Sequence, residues 1–180
     1  QFGKHSLTIL AGMSKLTETG DTLTSYRLGI PNSTLDQINA GSANGQATTG
    51  YAGEYGLLSY FGRVNYSYKE KYLFEANLRN DGSSRFAPGQ KWGLFPSFSA
   101  GWRISSEDFM KNVNFIQNLK LRGSWGELGN DAIGDYPYQS VYNLNNNYPF
   151  GGTLYPGSEL STYPNNGLTW ETTKMTDVGL

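Results

Sequence analysis

The chain has 180 residues, 37% of them hydrophobic and 14% aromatic, with 14 basic against 15 acidic side chains and a net charge of −1. Charges this balanced and this dispersed leave no electrostatic footprint for nucleic acid, which is excluded as a partner. There is no cysteine and only one histidine, His5, so disulfide frameworks, thiolate nucleophiles and Cys/His-rich metal centres are excluded, and neither a metal nor a cofactor is expected.

Glycine (23 residues), tyrosine (13) and tryptophan (4) set against 16% charged residues favour strands over helices. No run of about 18 apolar residues occurs, which excludes a transmembrane helix but not a membrane barrel. The start, Gln1-Phe2-Gly3-Lys4, lacks the basic and apolar regions of an export signal, and the end at Val178-Gly179-Leu180 reads as mid-strand. Both ends are therefore expected to be internal to a longer protein.

In chain order, Leu7, Ile9 and Ala11 alternate with Ser6, Thr8 and Leu10 as a first strand. From Leu58 to Tyr68, Leu58, Tyr60, Gly62, Val64, Tyr66 and Tyr68 alternate with Ser59, Phe61, Arg63, Asn65 and Ser67 over a full strand. Lys69-Glu70-Lys71 is a polar turn, after which Tyr72, Phe74, Ala76 and Leu78 alternate with Leu73, Glu75, Asn77 and Arg79. Setting Tyr68 opposite Tyr72, Tyr66 opposite Phe74 and Val64 opposite Ala76 gives this hairpin one apolar and one polar face, because opposed residues share a face. On the polar face Asn65 opposes Glu75 and Arg63 opposes Asn77.

A third such strand follows the Gly-rich stretch Asp81–Arg85 and includes Phe98, Ala100, Trp102 and Ile104, with Pro96 expected near its beginning. Ser105-Ser106-Glu107-Asp108 predicts a helix N-cap and a short helical connector to about Asn112. Leu119, Leu121, Gly123 and Trp125 mark the next strand, and residues 168–180 a final one of mixed faces. Short links at 69–71 and 105–118 alternate with long ones at about 15–54, 82–94 and 129–167, as in barrels with short turns on one rim and long loops on the other.

Alternation alone does not distinguish polar-in from apolar-in sheets. The aromatics favour a membrane wall: Tyr66, Tyr68, Tyr72 and Trp102 fall near the short-turn rim on the apolar face, where an interfacial girdle belongs. The fold class predicted is an all-β, antiparallel, up-and-down transmembrane barrel, of which about six strands are present, with Arg63, Asn65, Glu75, Asn77, Arg79 and Arg103 facing the lumen.

The stretches 59–68, Lys71-Tyr72-Leu73, Arg79-Asn80-Asp81-Gly82-Ser83-Ser84-Arg85-Phe86, Phe95-Pro96-Ser97-Phe98-Ser99-Ala100-Gly101-Trp102-Arg103, Glu107-Asp108-Phe109-Met110, Leu119-Lys120-Leu121-Arg122-Gly123-Ser124-Trp125-Gly126 and Leu168-Thr169-Trp170-Glu171 follow one another in the order in which they occur in the SusC/RagA family of TonB-linked outer-membrane proteins, which this chain resembles. The resemblance implies that residues 1–180 are part of a TonB-dependent receptor barrel of about 22 strands, whose plug and N-terminal extension lie outside this sequence. It further implies residence in the outer membrane of a Gram-negative bacterium, and uptake of oligosaccharide or oligopeptide nutrients. The implied partners are a SusD-like surface lipoprotein, outer-membrane lipid, and TonB through a region not present here.

No catalytic set is expected. His5 with Asp81 and Ser83 or Ser84 has nothing to bring it together. Asp131 and Asp135 read as turn formers rather than as a glycosidase pair or Ca²⁺ ligands. The sequon Asn32-Ser33-Thr34 carries no weight. The 129–167 link holds Tyr136, Tyr138, Tyr142 and Tyr148 among Asn and Gly, rings that suit substrate binding as well as packing. The competing reading from another class is a soluble extracellular β-rich glycan-binding module.

Overall fold

A computed structural model describes residues 2–113, 115–144 and 146–180. It contains one six-stranded sheet in the order β1-β2-β3-β4-β5-β10, made of β1 (His5–Tyr26), β2 (Ala47–Tyr68), β3 (Tyr72–Ser83), β4 (Trp92–Arg103), β5 (Lys120–Asn130) and β10 (Glu171–Gly179). The connection between β5 and β10 carries two small hairpins, β6 (Val141–Asn143) with β9 (Glu159–Thr162) and β7 (Tyr148–Phe150) with β8 (Thr153–Tyr155). The sheet is an antiparallel meander with β1 and β10 at its open edges.

The hairpin register is the one the alternation demands: Tyr68 pairs with Tyr72, Tyr66 with Phe74, Val64 with Ala76, Arg63 with Asn77 and Asn65 with Glu75. At its tip Lys69 and Glu70 take φ of 52° and 56°, and the Lys71 N–H donates to Tyr68 O at 3.0 Å. Two successive left-handed residues are the signature of a type I′ turn, whose twist matches that of the strands it joins.

Several expectations need correction. The long link placed at 15–54 shrinks to 27–46, because β1 and β2 each run for 22 residues. Their outer halves, rich in Thr and exposed on both faces, lack the apolar alternation that marks a half-buried strand, so only β propensity reports them. The 129–167 link is not structureless, since β6 to β9 form within it. Pro96 lies in mid-strand opposite Leu78, not near the start of β4, and the β4–β5 ladder ends at the adjacent pair Ser97–Gly126. Proline has no N–H to extend that ladder. The connector after β4 forms two 3₁₀ turns, Ile104–Ser106 and Asp108–Met110, without a side-chain cap, because the carboxylate of Glu107 is engaged elsewhere.

Gln1–Leu16 with Gly56–Leu180 form one compact unit and Thr17–Tyr55 a second. In the second, Arg27 Nη1 donates to Asn39 Oδ1 at 3.2 Å and the Ser42 N–H to Leu28 O at 2.8 Å. Asn32 Oδ1 accepts from the Thr34 N–H at 3.0 Å, which makes the sequon an ordinary Asx turn.

Candidate functional site

The registers from β2 to β5 stay in phase, so residues that share a side on one strand share it across all four. One side carries Val64, Tyr66, Tyr72, Phe74, Leu78, Phe98, Leu121 and Trp125, and all of them are exposed (Phe74 46%, Leu78 50%, Phe98 45%). An apolar face left open over this many strands is the opposite of what water selects.

Aromatic rows bound this face at both ends. At the short-turn end Tyr68 stacks on Tyr72 (6.3 Å between centroids) and Tyr72 on Trp102 (6.5 Å). His5 lies 4.7 Å from Tyr68, and its Nδ1 is 2.8 Å from the Tyr66 hydroxyl. At the other end Tyr60 stacks on Trp92 at 5.9 Å. A Cβ on Gly82 would come within 2.9 Å of the Trp92 ring, so glycine is what lets that ring lie flat on the strand.

The other side is polar and internally bonded. Arg63 Nε donates to Asn77 Oδ1 at 2.6 Å, and Asn77 Nδ2 donates to Glu75 Oε1 at 2.9 Å and to Ser97 Oγ at 3.2 Å. Arg79 Nε donates to Asp81 Oδ2 at 2.7 Å and its Nη2 to the fully buried Ser59 at 2.9 Å. Four of the six polar positions expected to share a face (Arg63, Glu75, Asn77 and Arg79) are thus tied into bonds. Asn65 pairs with Glu75, and Arg103 stands opposite Lys120 at the short-turn end.

Toward the long-link end, the polar side holds an aromatic cluster. The rings of Phe86 and Phe95 meet Trp170 at 5.4 and 5.2 Å, and Trp170 Nε1 donates to Lys91 O at 2.9 Å. Phe86, Phe95 and Ala87 are the buried hydrophobic residues among those described. Next to Phe86, Arg85 Nε donates to Asp135 Oδ1 at 3.2 Å and Nη1 to Asp131 O at 3.3 Å. The link between β3 and β4, expected at 82–94 and in fact confined to 84–91, therefore grips both feet of the link between β5 and β10, at 131–135 and at 170. Asp131 and Asp135 are latch residues rather than a catalytic pair, and no cluster of metal-ligating side chains occurs among the described residues.

At the short-turn end Glu107 joins the two connections. It accepts from Lys71 Nζ (2.9 Å), the Tyr72 hydroxyl (2.8 Å) and Trp102 Nε1 (3.0 Å), and its side chain is only 14% exposed. The Lys71 bond, with help from Trp102 and Tyr72, lowers its pKa to about 2 from an ordinary 4.5, and the same bond raises that of Lys71.

The tyrosines proposed for substrate sit at three places along the link between β5 and β10. Tyr136 and Tyr138 meet edge to face at 6.2 Å, whereas Tyr142 lies on β6 and Tyr148 on β7. His5 is separated from Asp81 and Ser83 by seven or more strand positions, about 25 Å, and no triad forms. Glu107, Arg85 and Trp170 were missed from the sequence. Phe86 and Phe95 gave the available signal, since Phe95 is an aromatic residue at a polar-face position.

An open antiparallel meander with one bonded polar face and one bare, aromatic-bounded apolar face defines a segment of barrel wall. A family model described as TonB dependent receptor-like, beta-barrel, matches residues 2–180. The TonB-dependent receptor SusC of Bacteroides thetaiotaomicron is 46% identical over 136 residues, covering 73% of this chain and 14% of that protein. The TonB-dependent receptor P3 of Formosa agariphila is 35% identical over 181 residues, 99% of this chain and 18% of the relative. Among solved structures, the RagAB peptide transporter superposes with a TM-score of 0.80 at 29% identity, covering 95% of this chain and 19% of that one. The open-open state of the RagAB peptide importer gives 0.81 at 29% identity over 98% of this chain. The chain belongs to the TonB-dependent receptor β-barrel family and to its SusC/RagA branch, and it spans less than a fifth of the length of these relatives.

Two outcomes follow from the clasps. Because the folded pKa of Glu107 lies below its ordinary value, the clasp is fully present above pH 4.5 and is lost as pH falls toward 2. Hydrogen-exchange protection of 69–72 and 104–110 in the full-length protein should hold steady down to about pH 4.5 and fall as the pH drops toward 2, and Glu107→Gln should reduce it at pH 4.5 and above. Loss of protection already at 4.5 in the unaltered protein would contradict the clasp. Trp170→Ala should destabilise by about 3 kcal/mol and expose residues 131–169 to limited proteolysis, while Tyr163→Ala, which removes an 83% exposed ring, should not.

Proposed function

We propose that the full-length protein imports glycan or peptide nutrients across the outer membrane of a Gram-negative bacterium in the manner of a SusC-like, TonB-dependent transporter, and that this chain supplies wall and surface-exposed links. The observation that carries this reading is the bare apolar face between two aromatic rows. Along β3 the rows lie at Tyr72 and near Gly82, ten positions apart. At about 3.3 Å per residue and a tilt near 40° this corresponds to a band of about 25 Å, the height of the lipid-facing belt of such barrels.

Within that band the strands need about 10 residues, which β3, β4, β5 and β10 supply with 12, 12, 11 and 9. The polar face, with Arg63, Asn65, Glu75, Asn77, Arg79 and Arg103, then looks into the lumen toward the plug, where charges meet partners instead of hydrocarbon. The long links, with Tyr136, Tyr138, Tyr142 and Tyr148, lie outside the cell, within reach of substrate and of a SusD-like lipoprotein. Import driven through TonB needs no bond chemistry in the wall. A soluble glycan-binding module would have to cover Phe74, Leu78, Phe98 and Trp125, and the polar side would have to be its solvent face although Ser59, Ser83 and Asp81 are buried there.

A strain lacking the full-length protein, grown on single oligosaccharides or oligopeptides, should lose growth on one class. The unaltered gene should restore it. Leu78→Arg, which places a charge near mid-bilayer at a cost of about 2–4 kcal/mol, should fail or assemble poorly. Unimpaired growth on every such substrate, or full rescue by Leu78→Arg with normal assembly, would refute the proposal.

A further inference from the structure

We propose that the connector between β4 and β5, residues 104–118, is an interfacial anchor that seats Phe109 and Phe115 in the lipid at the short-turn rim; this rests on the membrane reading above. The connector sets Ile104, Phe109, Met110, Val113, Phe115 and Ile116 among polar residues, as in an amphipathic segment, and its two phenylalanines are 65% and 87% exposed. A connector facing water on a short-turn rim has no use for two bare rings.

Its position comes from Glu107. Tyr72 and Trp102 project from the apolar face, and both give their polar tips to Glu107 Oε1, at 2.8 and 3.0 Å. These bonds hold the connector under the outward-facing aromatic row rather than under the polar face. Phe109 follows two residues later, within about 7 Å of chain, so the apolar band continues into the connector without a break.

Charge does not oppose this placement. The ionic side chains of 104–118 are Glu107, Asp108 and Lys111. Lys71 lies 2.9 Å from Glu107, and Lys111 lies 2.7 Å from Asp108. With each acid matched by a cation, the connector approaches the headgroups with little unpaired charge, and its rings enter the boundary between headgroup and acyl chain as those of interfacial segments do. The occupant of this surface is the phospholipid bilayer itself; a periplasmic protein resting on the same rings is the alternative that the test separates.

The test uses the full-length protein in phosphatidylcholine vesicles, freed of any other cysteine, with an environment-sensitive fluorophore on Phe115→Cys, on Phe109→Cys and, as a control for the wall, on Phe74→Cys. A lipid carrying a nitroxide near the headgroup should quench the connector labels about twofold more than aqueous iodide does, and the Phe74 label should respond to lipid nitroxide and not to iodide. Iodide quenching of both connector labels with no lipid quenching, while the Phe74 label still responds to lipid, overturns the anchor and leaves the wall standing. If the Phe74 label also fails to respond to lipid, the membrane reading falls, and the anchor with it.

Discussion

Everything in this structure depends on phase. A strand has a period of two, so one residue of slip in any ladder would send its polar set to the apolar side. The pairs Tyr66–Phe74, Phe74–Ala100 and Ala100–Gly123 carry one face across four strands, while Arg63–Asn77, Asn77–Ser97 and Ser97–Gly126 carry the other. A charged side chain near mid-bilayer costs about 2–4 kcal/mol for Arg, and a slipped β2–β3 hairpin would move Arg63 or Arg79 there. The type I′ turn at Lys69-Glu70 and the backbone bond from the Arg103 N–H to Lys71 O (2.8 Å) hold the phase where it is first set.

The two rims are finished in different ways, and each suits its surroundings. At the short-turn rim, a single carboxylate collects three donors from a turn and two strands. At the long-link rim, the fastening is apolar and larger: Phe86, Phe95 and Trp170 pack on the polar side, flanked by the Arg85 latch. A Cβ on Gly93 would lie 2.5 Å from the Phe95 ring and 2.9 Å from Trp170, so that glycine makes room for the cluster. The surface ion pairs themselves contribute little, about 0–1 kcal/mol each. Their role is to decide where the links sit.

The hairpin 58–78 was legible in full, down to its register, because alternation and turn chemistry agree there. The outer halves of β1 and β2 were not legible, since a two-stranded ribbon wet on both sides needs no apolar residues and leaves no period to read. The 3₁₀ connector was misread as a capped helix for a related reason. Ser105-Ser106-Glu107-Asp108 has the composition of a cap, but Tyr72 and Trp102, more than 30 positions away and next door respectively, outcompete the local backbone for the Glu107 carboxylate. Long-range partners of this kind are invisible to local pattern. The tyrosines of the long link were visible as a composition, yet composition did not say that Tyr142 would lie on β6 and Tyr148 on β7.

The central claim is that the apolar face of this wall meets lipid and the polar face meets the lumen. It is tested most directly by a nitroxide scan along β3, one position at a time from Tyr72 to Gly82, in the full-length protein reconstituted in vesicles. Collision with oxygen, which concentrates in hydrocarbon, should peak at Phe74, Ala76 and Leu78 and fall at Glu75, Asn77 and Arg79, with a water-soluble nickel chelate showing no peak at the first set. Oxygen maxima at Glu75, Asn77 and Arg79, or no alternation at all, would contradict the account.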